Sequence, residues 1–306
     1  MNGGNASILE VPVIKFAVMK FAVSIVAIDQ YLHSQAFWEI AEAIHYGLLT
    51  LGYDSILTAE TTTPDRWHII LGSNLLPFFP TEIAPRSIFY NLEQIFPGSP
   101  WLKPELVELF RQYPLWDYSQ NNLKALTQMG IDHALYLPIG YVPELTRIPS
   151  EEEEIDVLFF GTPNDRRQFI LEQLQNRGVV VKVISEVYGA ERDRWIARAK
   201  MVLNIHLYEA RVFELVRASY LFANHKFVIS EEGHDPEENL FSEGLVFAPY
   251  DQLVETCLQF LNKPESREKI AQRGFELMTQ RPQSEYLMPA VQALELFEAF
   301  IDDGNG

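Results

Sequence analysis

Residues 156–167 read DVLFFGTPNDRR. Asp156 to Phe160 is an apolar run without polar alternation, the pattern of a strand covered on both faces. Gly161 lets the backbone approach a ligand closely, Asn164 or Asp165 can cap a helix, and Arg166 to Gln175 carries a helical pattern. The same strand-to-helix step recurs downstream. Strands are predicted at Val179–Ile184, Val202–Ile205, Lys226–Ser230 and Leu245–Phe247, with helices at Glu191–Lys200 and Val212–Ala223. A last helix runs over Val291, Leu294, Phe297 and Ile301. Strands that alternate with helices need right-handed crossovers and build a parallel sheet with helices on both faces.

Upstream the alternation is looser but of the same kind. Lys20 to Asp29 (KFAVSIVAID) predicts a buried strand, and Phe37, Ile40, Ala41, Ile44, Leu48 and Leu51 mark one stripe of a helix stopped by Gly52. Short strands are expected at Ser55–Thr58, His68–Leu71, Ser87–Tyr90 and Ala134–Leu137, and helices at Pro104–Gln112 and Gln120–Met129. Pro149 to Glu154 (PSEEEE) reads as a solvated linker. The fold class is therefore α/β, with two Rossmann-like domains whose parallel sheets face a cleft. The expected division is 1–149, 150–282, and a closing helical segment at 283–306.

Composition bounds the partners. The 306 residues are 47% hydrophobic and 12% aromatic, which excludes general disorder. A formal charge of -18 repels phosphate backbones, so no nucleic acid is expected, and an anionic ligand needs a local basic pocket. The single cysteine, Cys257, lies among Leu253, Val254, Leu258 and Leu261 at helical spacing, as a small core residue does. Val11 to Ile28 is interrupted by Lys15 and Lys20, so no transmembrane segment is expected. The expected location is cytoplasmic, with a peripheral contact to the inner membrane face left open. The 7 histidines form no close pair and no DxD or HExxH occurs, so no metal ligand is expected. GxGxxG, P-loop and GxSxG patterns are also missing.

Ligands of parallel sheets bind beyond the carboxyl ends of the strands. There the sequence places Gly161, Thr162, Arg166 and Arg167, a basic turn that suits a diphosphate and equally suits solvent-facing ion pairs with Asp165 and Glu172. After the strand at Val202 come His206, at the strand end, and then Glu209, Phe213, Glu214 and Arg217. The last two stand three apart, as in a helical ion pair or a ribose-binding carboxylate with its neighbour. Tyr188 and Gly189 form a turn that suits a flat base or an ordinary connection. In the first half, Asp29 or His33 is a candidate base toward an acceptor hydroxyl. Glu93 is polar at a strand end, and Trp116, Asp117, Tyr118 and Tyr141 are aromatic and polar groups that suit a sugar or a core.

The segments VLFFGTPNDRR (157–167), YGAERDRWIARAKMVLNIHLYEARVFELVRASYLFANHKFVIS (188–230), GLVFAPYDQLVETCLQFL (244–261) and SREKIAQRGFELM (266–278) resemble GT-B glycosyltransferases of the bacterial "group 1", family 4-like type. IAEAIHYGLLTLGYDSIL (40–57), FYNLEQ (89–94) and PLWDYSQNNLKAL (114–126) look like the acceptor-side domain. The resemblance implies a metal-independent hexosyltransferase of glycan biosynthesis. It would move a sugar from a nucleotide-diphosphate sugar, a substrate rather than a cofactor, to a glycan, lipid-linked or small-molecule acceptor. A closing helix would return to the first domain.

The resemblance sets Gly161, Thr162, Arg166, Arg167, Tyr188, Gly189, Glu209, Phe213, Glu214 and Arg217 on the donor side. Glu93 and Tyr118 fall on the acceptor side, and Asp29, His33 and His206 are catalytic candidates. The family's E-x7-E pattern has His206 at its first position here, and the glycine-rich loop after the first strand is missing. Retention or inversion stays open. A non-catalytic sugar-nucleotide or glycan binder, or a 2-epimerase, is the alternative.

Overall fold

The computed structural model describes residues 19–27, 32–79, 81–208 and 211–303. The first half contains strands β1 (Lys20–Ile25), β2 (Asp54–Thr58), β3 (Trp67–Leu71), β4 (Ser87–Asn91), β5 (Leu115–Asp117) and β6 (Leu135–Tyr136). Its helices are α1 (Trp38–Thr50), α2 (Pro104–Gln112) and α3 (Gln120–Gln128). The strands form one sheet in the order β2-β1-β3-β4-β5-β6, each pairing parallel. Phe21, Ala22 and Val23 are fully buried, as a run covered on both faces requires.

The second half contains β7 (Ile155–Phe160), α4 (Asp165–Asn176), β8 (Val181–Ile184), α5 (Gly189–Ala197), β9 (Ala199–Asn204), α6 (Leu215–Ala223), β10 (Val228–Glu231), α7 (Pro236–Phe241) and β11 (Val246–Ala248). Helices α8 (Leu253–Leu261), α9 (Pro264–Thr279) and α10 (Gln283–Asp303) follow. The second sheet is also parallel, in the order β11-β10-β9-β7-β8. Cys257 is buried in α8, the core position its spacing predicted.

Each sheet reverses its strand order beside its first strand, between β1 and β3 in one and β7 and β9 in the other. The loops that leave such a pair turn in opposite directions and open a crevice at the carboxyl ends.

α10 crosses back to pack on α1. Leu287 and Val291 are fully buried, and a Cβ at Gly47 of α1 would stand 2.7 Å from Leu287, so glycine is what lets the helices approach. The two crossing segments are bonded to each other: Tyr141 N–H donates to Arg281 O at 2.8 Å, and Gln283 N–H donates to Tyr141 O at 2.9 Å.

Several elements depart from expectation. β5 is a strand where the sequence suggested only aromatic and polar groups; Trp116 is core and Asp117 fully buried. The helix expected to Lys200 ends at Ala197, because Ala199 and Lys200 pair in β9. The helix expected from Val212 begins at Leu215. Arg211 takes φ +50°, and the Asp235 carboxylate accepts the Phe213 N–H. Tyr141 is part of the crossing described above. Of the Val11–Ile28 stretch, residues 11–18 and 28 lie outside the described residues; no helix of the described residues is long and apolar enough to cross a membrane.

Candidate functional site

A cleft of about 490 Å³ lies between the carboxyl ends of the two sheets. From the second sheet it is lined by Gly161 and Thr162 after β7, Glu186 to Tyr188 after β8, Leu207 and Tyr208 after β9, and Arg167, Glu214 and Arg217. From the first come His33, Glu39, Asn74, Glu93, Gln94, Trp101 and Tyr118.

The densest polar arrangement sits at the switch point between β7 and β9. Gly161 has φ +142°, and a Cβ there would stand 2.9 Å from Arg217 Nη2 and 3.5 Å from Arg167 Nη1. A side chain would fill the space the two guanidiniums occupy. Arg167 is almost wholly buried. Its Nε and Nη2 donate to Ile205 O, Nη1 donates to Thr162 O at 2.7 Å, and Nη2 reaches Glu214 at 3.2 Å. Burial lowers its pKa to about 10, against the pull of Glu214, so it stays a cation at neutral pH. Arg217 Nη1 lies 2.5 Å from both Glu214 Oε2 and Asn204 Oδ1.

Glu214 is thus clasped by two arginines. It is the N-cap of α6 rather than a residue on its face, because the helix starts one position later. Burial pushes its pKa up, but Arg217 and then Arg167 outweigh this and hold the carboxyl below its ordinary value.

The two halves also meet across the cleft. The Tyr188 hydroxyl lies 2.8 Å from His33 Nδ1, and His33 Nε2 lies 3.2 Å from Glu186. Trp101 Nε1 donates to the Tyr208 hydroxyl at 3.0 Å, and Gln94 Nε2 donates to Val212 O at 3.3 Å. Arg192 Nη2 donates to Glu39 Oε1 at 2.7 Å, and both residues line the cleft. Glu237 accepts the Gln120 N–H at 2.9 Å and the Tyr136 hydroxyl at 3.1 Å, and Asp235 accepts from Asn121.

The structure therefore brings His33, Gly161, Thr162, Arg167, Tyr188, Glu214, Arg217, Glu93 and Tyr118 to one cleft. It separates the two neighbouring arginines. Arg166 does not line the cleft: it is paired with the fully buried Glu231 and stacked 3.9 Å from the Tyr250 ring centroid, and neither Asp165 nor Glu172 is its partner. Successive helix positions point about 100° apart, so Arg167 takes the inner place and Arg166 the outer one.

Phe213 is a core residue, 1% exposed, against Phe241 and Phe247, and does not reach the cleft. Gly189 opens α5 at φ +54° without lining the cleft. Tyr118 shows only 3% of its surface, so it is a wall rather than a stacking platform. His206 is fully buried, behind rather than in the cleft. Its N–H donates to Glu231, and its ring nitrogens have no hydrogen-bond partner among the described residues. Burial lowers its pKa, against Glu214 and Glu231. Asp29 and Glu209 lie outside the described residues. Among the described residues no group of three or more His, Cys, Asp or Glu is placed to hold a metal ion.

Asn74, Trp101, Tyr208, Glu39 and Arg192 were not anticipated. Asn74 was within reach of the strand-end rule, since it follows β3 by three residues. Trp101 and Tyr208 meet over a separation of 107 residues, which no local pattern encodes.

Residues 145–290 match the family model described as "Glycosyl transferase-like". Over that stretch the chain is similar to this family. Among solved structures, Anabaena HepE in complex with UDP and glucose superposes with a TM-score of 0.59 at 10% identity, over 92% of this chain and 100% of that one. Sucrose-phosphate synthase from Thermosynechococcus elongatus gives 0.56 at 10% identity, over 92% and 100%. The fold is GT-B, as the resemblance implied. In sequence, an uncharacterised protein of Acanthamoeba polyphaga mimivirus is 32% identical over 172 residues, 52% of this chain and 56% of that protein. The chain thus spans about half the length of this viral relative.

Proposed function

We propose that the cleft binds a nucleotide-diphosphate sugar and that the protein transfers the sugar to an acceptor hydroxyl. The observation that carries this is the convergence of Arg167 and Arg217 over the side-chain-free Gly161, with Glu214 between them, at the switch point of the second sheet. In a protein of charge -18, one buried and one half-buried guanidinium gathered at a cleft support a local seat for an anion. HepE, of the same fold, has been solved with UDP-glucose.

In this reading the diphosphate lies against the two guanidiniums, and Glu214 accepts hydrogen bonds from the ribose diol. Breaking the anomeric C–O bond leaves negative charge on the diphosphate. Fixed donors aimed at that charge lower the barrier by about 3 kcal/mol each. Transfer without a metal ion, a division at 1–149, 150–282 and 283–306, and a cytoplasmic site of action belong to the same proposal.

Calorimetry and thermal shift with UDP, GDP, ADP and TDP and their glucose conjugates, with and without a chelator, test it. Ligand at a hundred times its dissociation constant adds about 2.7 kcal/mol of stability. A shift with one nucleotide that survives chelation is the expected result. Binding without consumption of any sugar conjugate would mark a non-catalytic binder, and no shift with any of them overturns the donor site.

A further inference from the structure

The acidic residues that line the cleft are not alike. Glu214 is held by two arginines, Glu39 by Arg192, and Glu186 stands beside His33. Glu93 has no cation within ion-pair distance among the described residues; its Oε1 accepts one weak hydrogen bond, from Asn74 Nδ2 at 3.4 Å. The charge that acts on it is Glu214, from the opposite half of the cleft lining. Tyr118 and Tyr208 also face it, and Arg167 and Arg217 stand beyond Glu214.

The turn that presents Glu93 is held from beneath. The Glu93 carbonyl accepts from Asn91 Nδ2 and from Asn122 Nδ2, both at 2.9 Å. Both amides also donate to Asp117, at 2.6 Å and 3.0 Å, and Asp117 is fully buried. Asn122 Oδ1 accepts the Ile95 N–H at 2.9 Å. A buried carboxylate so orients two amides that fix the backbone of one cleft acid.

Resting on the donor reading above, we propose that Glu93 is the proton acceptor for the incoming hydroxyl, and that Asp117, with Asn91 and Asn122, is its positioning residue. As the acceptor oxygen bonds to the anomeric carbon, its proton passes to the Glu93 carboxylate. The anomeric C–O bond breaks with its electron pair going to the diphosphate. Burial, and then Glu214, raise the Glu93 carboxyl to about 7, where a base serves best near neutral pH.

The test needs no acceptor, because water can take its place: release of nucleoside diphosphate from UDP-, GDP-, ADP- and TDP-glucose is followed from pH 5 to 9 in the full chain and in Glu93→Gln and Asp117→Asn. Glu93→Gln is expected to bind nucleoside diphosphate within about twofold of the parent while turnover falls about 100-fold or more and the acidic limb of the pH profile disappears. Asp117→Asn is expected to retain that limb but shift it, with turnover reduced and nucleotide affinity kept. Parent-like turnover and pH profile in Glu93→Gln overturn the role of Glu93 and leave the donor site standing. A parent that binds a nucleotide sugar but consumes none overturns sugar transfer and the role of Glu93 together and marks a non-catalytic binder, while a parent that binds none overturns the donor site as well. Thermal melts of both variants separate lost folding from lost proton transfer.

Discussion

Replacing Glu214 with Gln removes one negative charge from between two arginines and leaves the shape nearly unchanged. Truncating one partner of a buried ion pair typically costs about 3–5 kcal/mol because a charge is stranded. Here Arg217 keeps Asn204 Oδ1 at 2.5 Å, Arg167 keeps its carbonyl acceptors, and the amide oxygen of Gln still accepts. The loss is then nearer that of one charge-assisted hydrogen bond, about 1.5–3 kcal/mol. At about 2–4 °C per kcal/mol for a chain of this size class, melting falls by about 3–12 °C. On the proposed reading the same residue serves the ribose, so the nucleoside and the nucleoside diphosphate that the cleft takes should each bind about tenfold more weakly, a difference of about 1.4 kcal/mol. Pyrophosphate should bind as well or better, since the arginines are less neutralised.

Calorimetry with the three ligands separates the terms. The pH window follows from the sign of the shift: the carboxyl is held below its ordinary value, so its contribution is present above that value and lost only as pH falls through the folded one. The deficit from Glu214 itself should therefore be constant from pH 6 to 8, and any change over that window should come from Glu93, whose carboxyl Glu214 helps to raise to about 7. Nucleoside diphosphate affinity within twofold of the parent, or equal losses for the nucleoside diphosphate and pyrophosphate, would refute the assignment of Glu214 to the ribose.

Gly161→Ala should destabilise by about 1–3 kcal/mol, since φ +142° is strained for any side chain and the Cβ meets Arg217; nucleoside diphosphates should lose more affinity than nucleosides, as read by calorimetry. Asp117→Asn should flatten the pH dependence of melting. Burial raises the Asp117 carboxyl to about 7, so its contribution is full below an unfolded value near 4 and is lost as pH rises through 7; a parent–variant difference that does not change between pH 4 and 8 would contradict this. Trp101→Phe deletes the donor to the Tyr208 hydroxyl while keeping the ring. Amide exchange at residues 205–208 should speed up several-fold with little change in melting, and unchanged exchange would show that the bond does not hold that loop.

The strand-turn-helix at Ile155–Asn176 was legible because its apolar run, cap and charge pattern are local, and Asn164 does cap α4 by accepting the Arg167 N–H at 2.9 Å. β5 was not, since three residues give no period and Leu115–Asp117 acquire strand form only from pairing with β4. The start of α6 was misplaced because Arg211 takes φ +50° and an acid 22 residues downstream, Asp235, accepts the Phe213 N–H, so the chain is still turning where the helix was expected. That shift of the helix start decides the chemistry of Glu214, which becomes a cap facing the arginines. Of the paired Arg166 and Arg167, the sequence showed a basic turn but not which residue faces inward; Glu231, 65 positions from Arg166, settles that. Contacts that close the cleft, such as His33 with Tyr188 across 155 residues, exist only in three dimensions.

The doubled crossing between the halves has a mechanical consequence. The chain passes from the first sheet to the second once, returns once through α10, and the two passages are stitched together at Tyr141, Arg281 and Gln283. Such a molecule does not come apart at a single cut. A protease nick in the exposed acidic stretch 151–154 severs one passage, but the carboxyl-terminal fragment still carries α10, which is seated on α1 of the other fragment. The two pieces should migrate together under native conditions and separate only in denaturant, so this stretch is the natural place to divide the protein into halves that reassemble.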